Sequence, residues 1–223
     1  MSFMKSRKNK EDLKQGGGSN YISTSGCFPV NIIASFVSKS KNGSESVDFY
    51  LNHESQEQVM YGNVRVSNND ESVNEIGAKV FNQLMIVAGL DEVSDPIEAE
   101  LPIGKGGTNT DVSILEDLCD IDVLMRVQME YAMYNGGVQE KKVIKAFFRA
   151  SDNASAEEIV NDENFGEQYK KEMKYFDNVT YKDNLDADAI AKWIADGRPK
   201  SGGGGASKPA AKPGFSKKRS FGK

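Results

Sequence analysis

Histidine is almost missing from this 223-residue sequence, cysteine is scarce, and no apolar run comes near the roughly 18 residues that a membrane-crossing helix needs. The one histidine, His53, lies in the turn-like stretch Asn52-His53-Glu54-Ser55 and reads as a solvated loop residue. Without a second histidine, no Ser/His/Asp or Cys/His catalytic set is expected. Cys27 and Cys119 stand far apart in apolar surroundings with no CxxC pair. That spacing excludes a zinc site and a disulfide framework and predicts two reduced core thiols. Met1 to Gln15 is basic and polar with no apolar stretch behind it, unlike a secretory signal, so the expected compartment is a cytoplasm. Ile103-Gly104-Lys105-Gly106-Gly107-Thr108 has some likeness to a phosphate loop but does not satisfy GxxxxGK[ST]. Asp117, Asp120 and Asp122 fall near a predicted helix-to-strand joint, where acids are usually solvated. The chain is therefore expected not to be an enzyme and to need neither cofactor nor metal.

What is present is charge, unevenly spread. Residues 200–223 hold seven Lys/Arg and no acid, and residues 1–15 hold five against Glu11 and Asp12. That leaves 16 basic against 31 acidic residues in 16–199, a net of −15 for the body. Two cationic ends on an acidic body are a common electrostatic footprint for a polyanion, the alternative being that they serve solubility alone. Gly16-Gly17-Gly18-Ser19 and Ser201-Gly202-Gly203-Gly204-Gly205-Ala206 have the composition of flexible linkers. The predicted organisation is a flexible basic leader over 1–19, one folded domain over 20–150, a helical appendix over 151–199 and a disordered basic tail over 200–223.

The first half of the domain reads as β. Residues 26–37 are rich in β-branched and aromatic types, and a turn carrying Lys39 and Lys41 follows. In Glu45 to Asn52 the apolar residues Val47, Phe49 and Leu51 alternate with Ser46, Asp48 and Tyr50. A third strand runs from Gln58 to Val66. With Met60, Val64 and Val66 inward, Tyr61, Asn63 and Arg65 share an exposed face with Tyr50; the opposite parity turns Val59 and Tyr61 inward. Ser72-Val73-Asn74-Glu75 has capping-box spacing, and Val73, Ile76, Val80, Leu84 and Val87 recur at helical steps until Gly89. A less regular stretch, 91–120, includes a predicted short helix around Val112 to Cys119. Two more strands, 123–131 and 138–150, flank Tyr134-Asn135-Gly136-Gly137, a hairpin signal. On the second of them Ile144, Ala146 and Phe148 suit the core, with Lys141, Val143, Lys145, Phe147 and Arg149 opposite. In the appendix, Ser155-Ala156-Glu157-Glu158 opens an acidic helix, and Ala187 to Ala195 forms another that docks Ile190, Trp193 and Ile194 on the body. The expected fold is mainly β with α: five strands with a helix between strands 3 and 4, the element order of the barrel that binds oligonucleotides and oligosaccharides.

The stretches Gly26-Cys27-Phe28-Pro29-Val30-Asn31-Ile32, Ser46 to Leu51, Asn74-Glu75-Ile76-Gly77 leading to Leu84 and Ala88-Gly89-Leu90, and Leu124 to Glu130 carry a resemblance. Over about residues 20–150 the chain resembles a family of bacteriophage single-stranded DNA-binding proteins with an oligonucleotide-binding barrel. The resemblance implies sequence-tolerant coating of single-stranded DNA in phage replication or recombination, in the host cytoplasm, beside phage or host replication and recombination proteins. Many proteins of that function end in an acidic tail with a terminal aromatic; residues 214–223 here are basic instead.

Such binding needs cations that follow phosphates and aromatic faces on which any base can stack. In barrels of this type the site crosses strands 2 and 3 beneath the loops joining strands 1 to 2 and 4 to 5. The candidates are Lys39 and Lys41 in the first loop, Tyr50, Tyr61 and Arg65 on the strands, Tyr134 in the second loop, and Lys141, Lys145 and Arg149 on strand 5. In the tail, Phe215 and Phe221 flank Lys217-Lys218-Arg219, a composition suited to gripping nucleic acid or folding back on the acidic body. The competing expectation is an acidic adaptor that engages or inhibits a replication enzyme without touching DNA.

Overall fold

The long strand β1 (Gly26–Lys39) organises the sheet because different parts of it pair with different neighbours. In the computed structural model, which describes residues 21–199, its second half pairs antiparallel with β2 (Glu45–His53), and β2 with β3 (Gln56–Arg65). Its first half, Gly26 to Ile32, pairs antiparallel with β6 (Ile121–Tyr134), which forms a long hairpin with β7 (Gly137–Arg149). Near the other end Phe36 and Val37 pair with β5 (Thr110–Ile114), itself a hairpin partner of β4 (Ile97–Leu101). The two-residue β8 (Thr180–Tyr181) runs parallel to β6 at Glu130 and Tyr131. The fold is thus mainly β, one sheet of eight strands among the described residues, where five were expected. The sheet is open: among the described residues no ladder joins β3 to β7, and α1 (Glu75–Val87) lies against both.

The helix sits where the sequence predicts it, between the third strand and β6, but its start differs. Asn74 is the N-cap, its side chain accepting from the Gly77 amide at 3.0 Å. Ser72 lies two residues before that cap, its hydroxyl and amide both donating to Asp70. Val80, Leu84 and Val87 enter the core, each such side chain contributing about 1.5–3 kcal/mol, while Val73 and Ile76 are left exposed. Gly77 is required by contact: a Cβ there would lie 1.7 Å from the Arg65 carbonyl oxygen.

The main core lies between the inner sheet face and α1, with Ile32, Phe49, Leu51, Val64, Met125 and Phe147 fully buried. Its lining corrects the expected parity of β7. A register shift between Arg126 and Val127 places one extra β7 residue at Lys145, so that Ile144 and Phe147 both face inward. Ala146 and Phe148 turn outward, and Phe148 packs under Tyr169 and Phe176 of the appendix. His53 is likewise not a solvated loop residue: it ends β2 at 8% exposure, its Nδ1–H donating to the Pro29 carbonyl at 2.9 Å. Both thiols are free and only partly buried, and burial pushes Cys27 up to about 12.

The predicted helix around 112–119 is absent. Strand β5 and a 3-10 turn over Glu116–Leu118 occupy that stretch. The appendix comprises α2 (Ala156–Asn161), α3 (Glu167–Glu172), a 3-10 turn over Met173–Tyr175, and α4 (Ala187–Ala195). Ser155 and Glu158 form a full capping box at α2, and the Glu158 carboxylate also accepts from the amides of Gly166 and Gln168 at 3.1 and 2.7 Å. Burial opposes ionisation of Glu158, yet these amide bonds outweigh it and hold the carboxyl below its ordinary range. In α4, Ile190 is buried and Trp193 sets its ring edge-on to Tyr131, but Ile194, expected to dock, remains exposed. No helix among the described residues is long and apolar enough to cross a membrane.

Candidate nucleic-acid interface

Alternation along β3 decides which side chains leave the core. Met60 and Val64 are buried, so Tyr61 between them points outward, 58% exposed. Its ring meets the buried ring of Phe36 edge-to-face at 6.2 Å. Gly62 follows at φ +64°, a conformation open to glycine, and its amide donates to the Asp48 carboxylate at 2.5 Å. Asp48 opposes Phe36 in the ladder and is almost wholly buried; burial raises its pKa against the lowering bonds from Ser38 and Gly62. Burial, then the Asp48 charge, raises the pKa of Tyr61. A phenol that stays neutral at working pH presents bases with an unrepelling flat surface.

Cations gather at the end of this face. Arg65 donates to the Ser44 hydroxyl at 2.8 Å and to the Asn69 side-chain oxygen at 3.0 Å, both uncharged acceptors. Lys39 faces Glu45 at 3.4 Å with both side chains well exposed, an arrangement worth little in water. Lys41 is exposed in the intervening loop. The fold therefore brings Arg65 and Tyr61 to one face with Lys41 exposed in the loop at its end, whereas Lys39, paired with Glu45 and two residues past core-facing Val37, has the opposite parity.

Tyr50 does not join them. It is 7% exposed, packed with Ala34 and Phe36 in a second apolar cluster that includes Leu101, Ile103, Val112 and Ile114 of the β4–β5 hairpin region. Its hydroxyl donates to the Glu57 carboxylate, and that bond, followed by burial, pushes its pKa up to about 12. Its parity is as expected; the hairpin folded across the face is what removes it from solvent. The hairpin is also what the sequence reading missed. Ile97, Ala99 and Leu101 alternate with glutamates, and Val112 and Ile114 answer them across a glycine-rich tip, a legible hairpin signal once the phosphate-loop likeness of 103–108 is set aside. Lys105 is exposed at that tip, two residues beyond Ile103.

Other expected contacts are scattered or occupied. Tyr134 is 62% exposed but lies past the Gly26 end of β1, whereas Lys39 lies at the opposite end. Lys145 donates to Glu130 at 3.2 Å, and Glu130 also receives Lys182 at 2.6 Å. Burial resists that charge, yet the two lysines hold the Glu130 carboxyl below its ordinary range. Arg149 makes a two-pronged bond with Asp152 at 2.9 and 2.6 Å and stands over the Phe165 ring. Lys141 is exposed, but opposite Glu130 in the ladder. Phe215, Lys217, Lys218, Arg219 and Phe221 lie outside the described residues. No group of three or more His, Cys, Asp or Glu among the described residues is arranged to hold a metal ion. Compared with known proteins, the chain matches no family model and no curated sequence.

Proposed function

We propose that this chain binds single-stranded DNA without catalytic turnover, through the outer face of β1, β2 and β3. The observation that carries this reading is Tyr61: an exposed ring backed by buried Phe36, with Arg65 on the same face and Lys41 exposed in the loop at its end. Stacking on such a ring is worth about 1–3 kcal/mol per base and accepts any base, while the cations follow the backbone. The strand order β3-β2-β1-β6-β7, with α1 between β3 and β6, supports an oligonucleotide-binding barrel left open between its first and last members. On that view the β4–β5 hairpin is an insertion that walls one side of the groove and sets Lys105 at its rim. The resemblance over residues 20–150 supports a setting in phage replication or recombination.

The acidic adaptor remains the second reading, favoured by the exposed Glu157, Asp162, Glu163 and Glu167 on and beside α2 and α3. A gel shift with oligo-dT of graded length, at low and moderate salt, separates the two. Length-dependent retardation that weakens in Tyr61→Ala supports strand binding; no retardation of the wild-type protein at low salt refutes it.

A further inference from the structure

Strand β4 is an edge. It pairs antiparallel with β5 on one side and, among the described residues, with no strand on the other, whereas β3 and β7 have α1 lying against them. An uncovered edge presents a row of backbone N–H and C=O groups to which another strand can be added. Pro96 and Pro102 bracket the row, and the Leu101 carbonyl is taken by the Ile103 amide at 2.8 Å. The open run is therefore confined to Ile97–Leu101, about 17 Å at about 3.3 Å per residue.

The two faces of this edge differ. Ile97 opposes Ile114, and Ile114 opposes Phe36 on β1, so Ile97, Ala99 and Leu101 lie on the face that bears Tyr61. Ile97 is 46% exposed there. Glu98 and Glu100 lie on the other face, both exposed. Glu100 stands directly opposite Asp111 in the ladder, a like-charge pair that weakens a hairpin. What these acids hold is neutral: Glu98 accepts from the Ser113 hydroxyl at 2.9 Å and Glu100 from the Asn109 side-chain amide at 3.0 Å. Among the described residues no lysine or arginine pairs with Glu98, Glu100 or Asp111. The edge thus carries unmatched negative charge at every second residue and an apolar surface at the residues between.

We propose that β4 is the docking edge for an extended segment of a partner protein in which lysine or arginine recurs at every second position with aliphatic residues between. Backbone hydrogen bonds add the segment to the sheet as a further strand, and its alternate side chains supply the selectivity. Its cations lie beside Glu98 and Glu100 and relieve the opposition of Glu100 to Asp111, while its aliphatic side chains cover Ile97. A second copy of this chain is the poorer occupant: antiparallel pairing of two β4 strands about Ala99 sets each Glu98 against a Glu100, like charge on like. The edge is separate from Tyr61, Arg65 and Lys41, and its use does not depend on the strand-binding reading of that face.

The test uses the full-length protein without DNA and a fluorescent peptide of alternating lysine and valine, just longer than β4, followed by anisotropy at low salt. Strand addition turns the amides of alternate peptide residues toward β4 and the rest away from it. Two versions of the peptide, N-methylated on one or the other alternate set, should therefore differ: one binds as the unmodified peptide does, the other about tenfold or more weakly. The double variant Glu98→Gln, Glu100→Gln keeps the oxygens that Ser113 and Asn109 donate to, and should bind the unmodified peptide about threefold or more weakly. Circular dichroism and thermal melting verify that the variant is folded. Equal binding of the two methylated peptides overturns strand addition, and wild-type affinity in the double variant overturns the charge match. Absence of peptide binding, or a wild-type dimer that shuts the peptide out, overturns the choice of occupant.

Discussion

Along β6 and β7, Arg126, Lys145 and Arg149 are spent on carboxylates, while Arg65 of β3 donates to neutral oxygens. Arg126 binds Glu172, Lys145 binds Glu130, and Arg149 binds Asp152, and the appendix covers Phe148 between them. Among the described residues Arg65 donates to neutral oxygens of Ser44 and Asn69, and Tyr61 stands exposed four residues before it on β3. The two faces come from strands of similar composition. What separates them is the neighbour: residues 151–199 bring acids and aromatics onto one face, and the β4–β5 hairpin brings aliphatics onto part of the other. A cation's type and parity thus say little about its availability until its partner is known.

The largest way to break the comparison is to move the frame that holds the open face. Gly77→Ala would drive a methyl into the Arg65 carbonyl, a backbone group, so that α1 and β3 must move apart. We expect a loss of about 3 kcal/mol or more in urea unfolding, with strand binding lost in parallel because Arg65 and Tyr61 ride on β3. Next is the latch on the covered face. Glu158→Ala strands the amides of Ser155, Gly166 and Gln168, and should cost about 2–3 kcal/mol, read as a fall in melting temperature. Since the folded-state pKa of Glu158 is depressed, its contribution is complete above the ordinary glutamate range and disappears as pH falls through the lower folded value. Wild type and variant should therefore converge in stability at acid pH; a gap that persists unchanged would mean the latch does not act through its charge.

Tyr61→Ala sharpens the contrast without disturbing the fold, because the ring is exposed. Loss of one stacked base at about 1–3 kcal/mol corresponds to roughly 5- to 150-fold weaker binding of oligo-dT. The same change at Tyr134, equally exposed but at the far end of β6, should cost less on strands too short to reach it.

Much of this was legible beforehand, and the failures have physical causes. Strands β4, β5 and β8 were not read, but the five long strands, the position of α1 and the boundaries of α4 follow from hydrophobic period, and Tyr61 follows from the parity of Met60 and Val64. The β7 lining did not, because a single extra residue at Lys145 inverts the alternation and nothing in the local composition marks it. Tyr50 had the right parity and the wrong exposure, since its cover comes from residues 101–114, more than fifty positions away. Ionic neutralisation was hidden for the same reason: Glu172 reaches Arg126 across 46 residues and Lys182 reaches Glu130 across 52. Period two reads a strand's own faces and says nothing about what later chain lays over them.

The smallest effect is the most discriminating. Each phosphate contact on a single strand contributes about 0.7 to the slope of log affinity against log salt. Arg65→Ala should lower that slope by about this amount, because its guanidinium is held in place by oxygens that do not compete for its charge. Arg149→Ala should leave the slope unchanged and instead lower the melting temperature slightly, since its charge is already matched by Asp152 and its plane already lies on Phe165. The pair is matched in residue type and similar in strand position, so a difference between them isolates the neighbour. If Arg149→Ala were the one to flatten the slope, the strand would have to run over β6 and β7, displacing Asp152, and the exposed ring of Tyr61 would need another explanation.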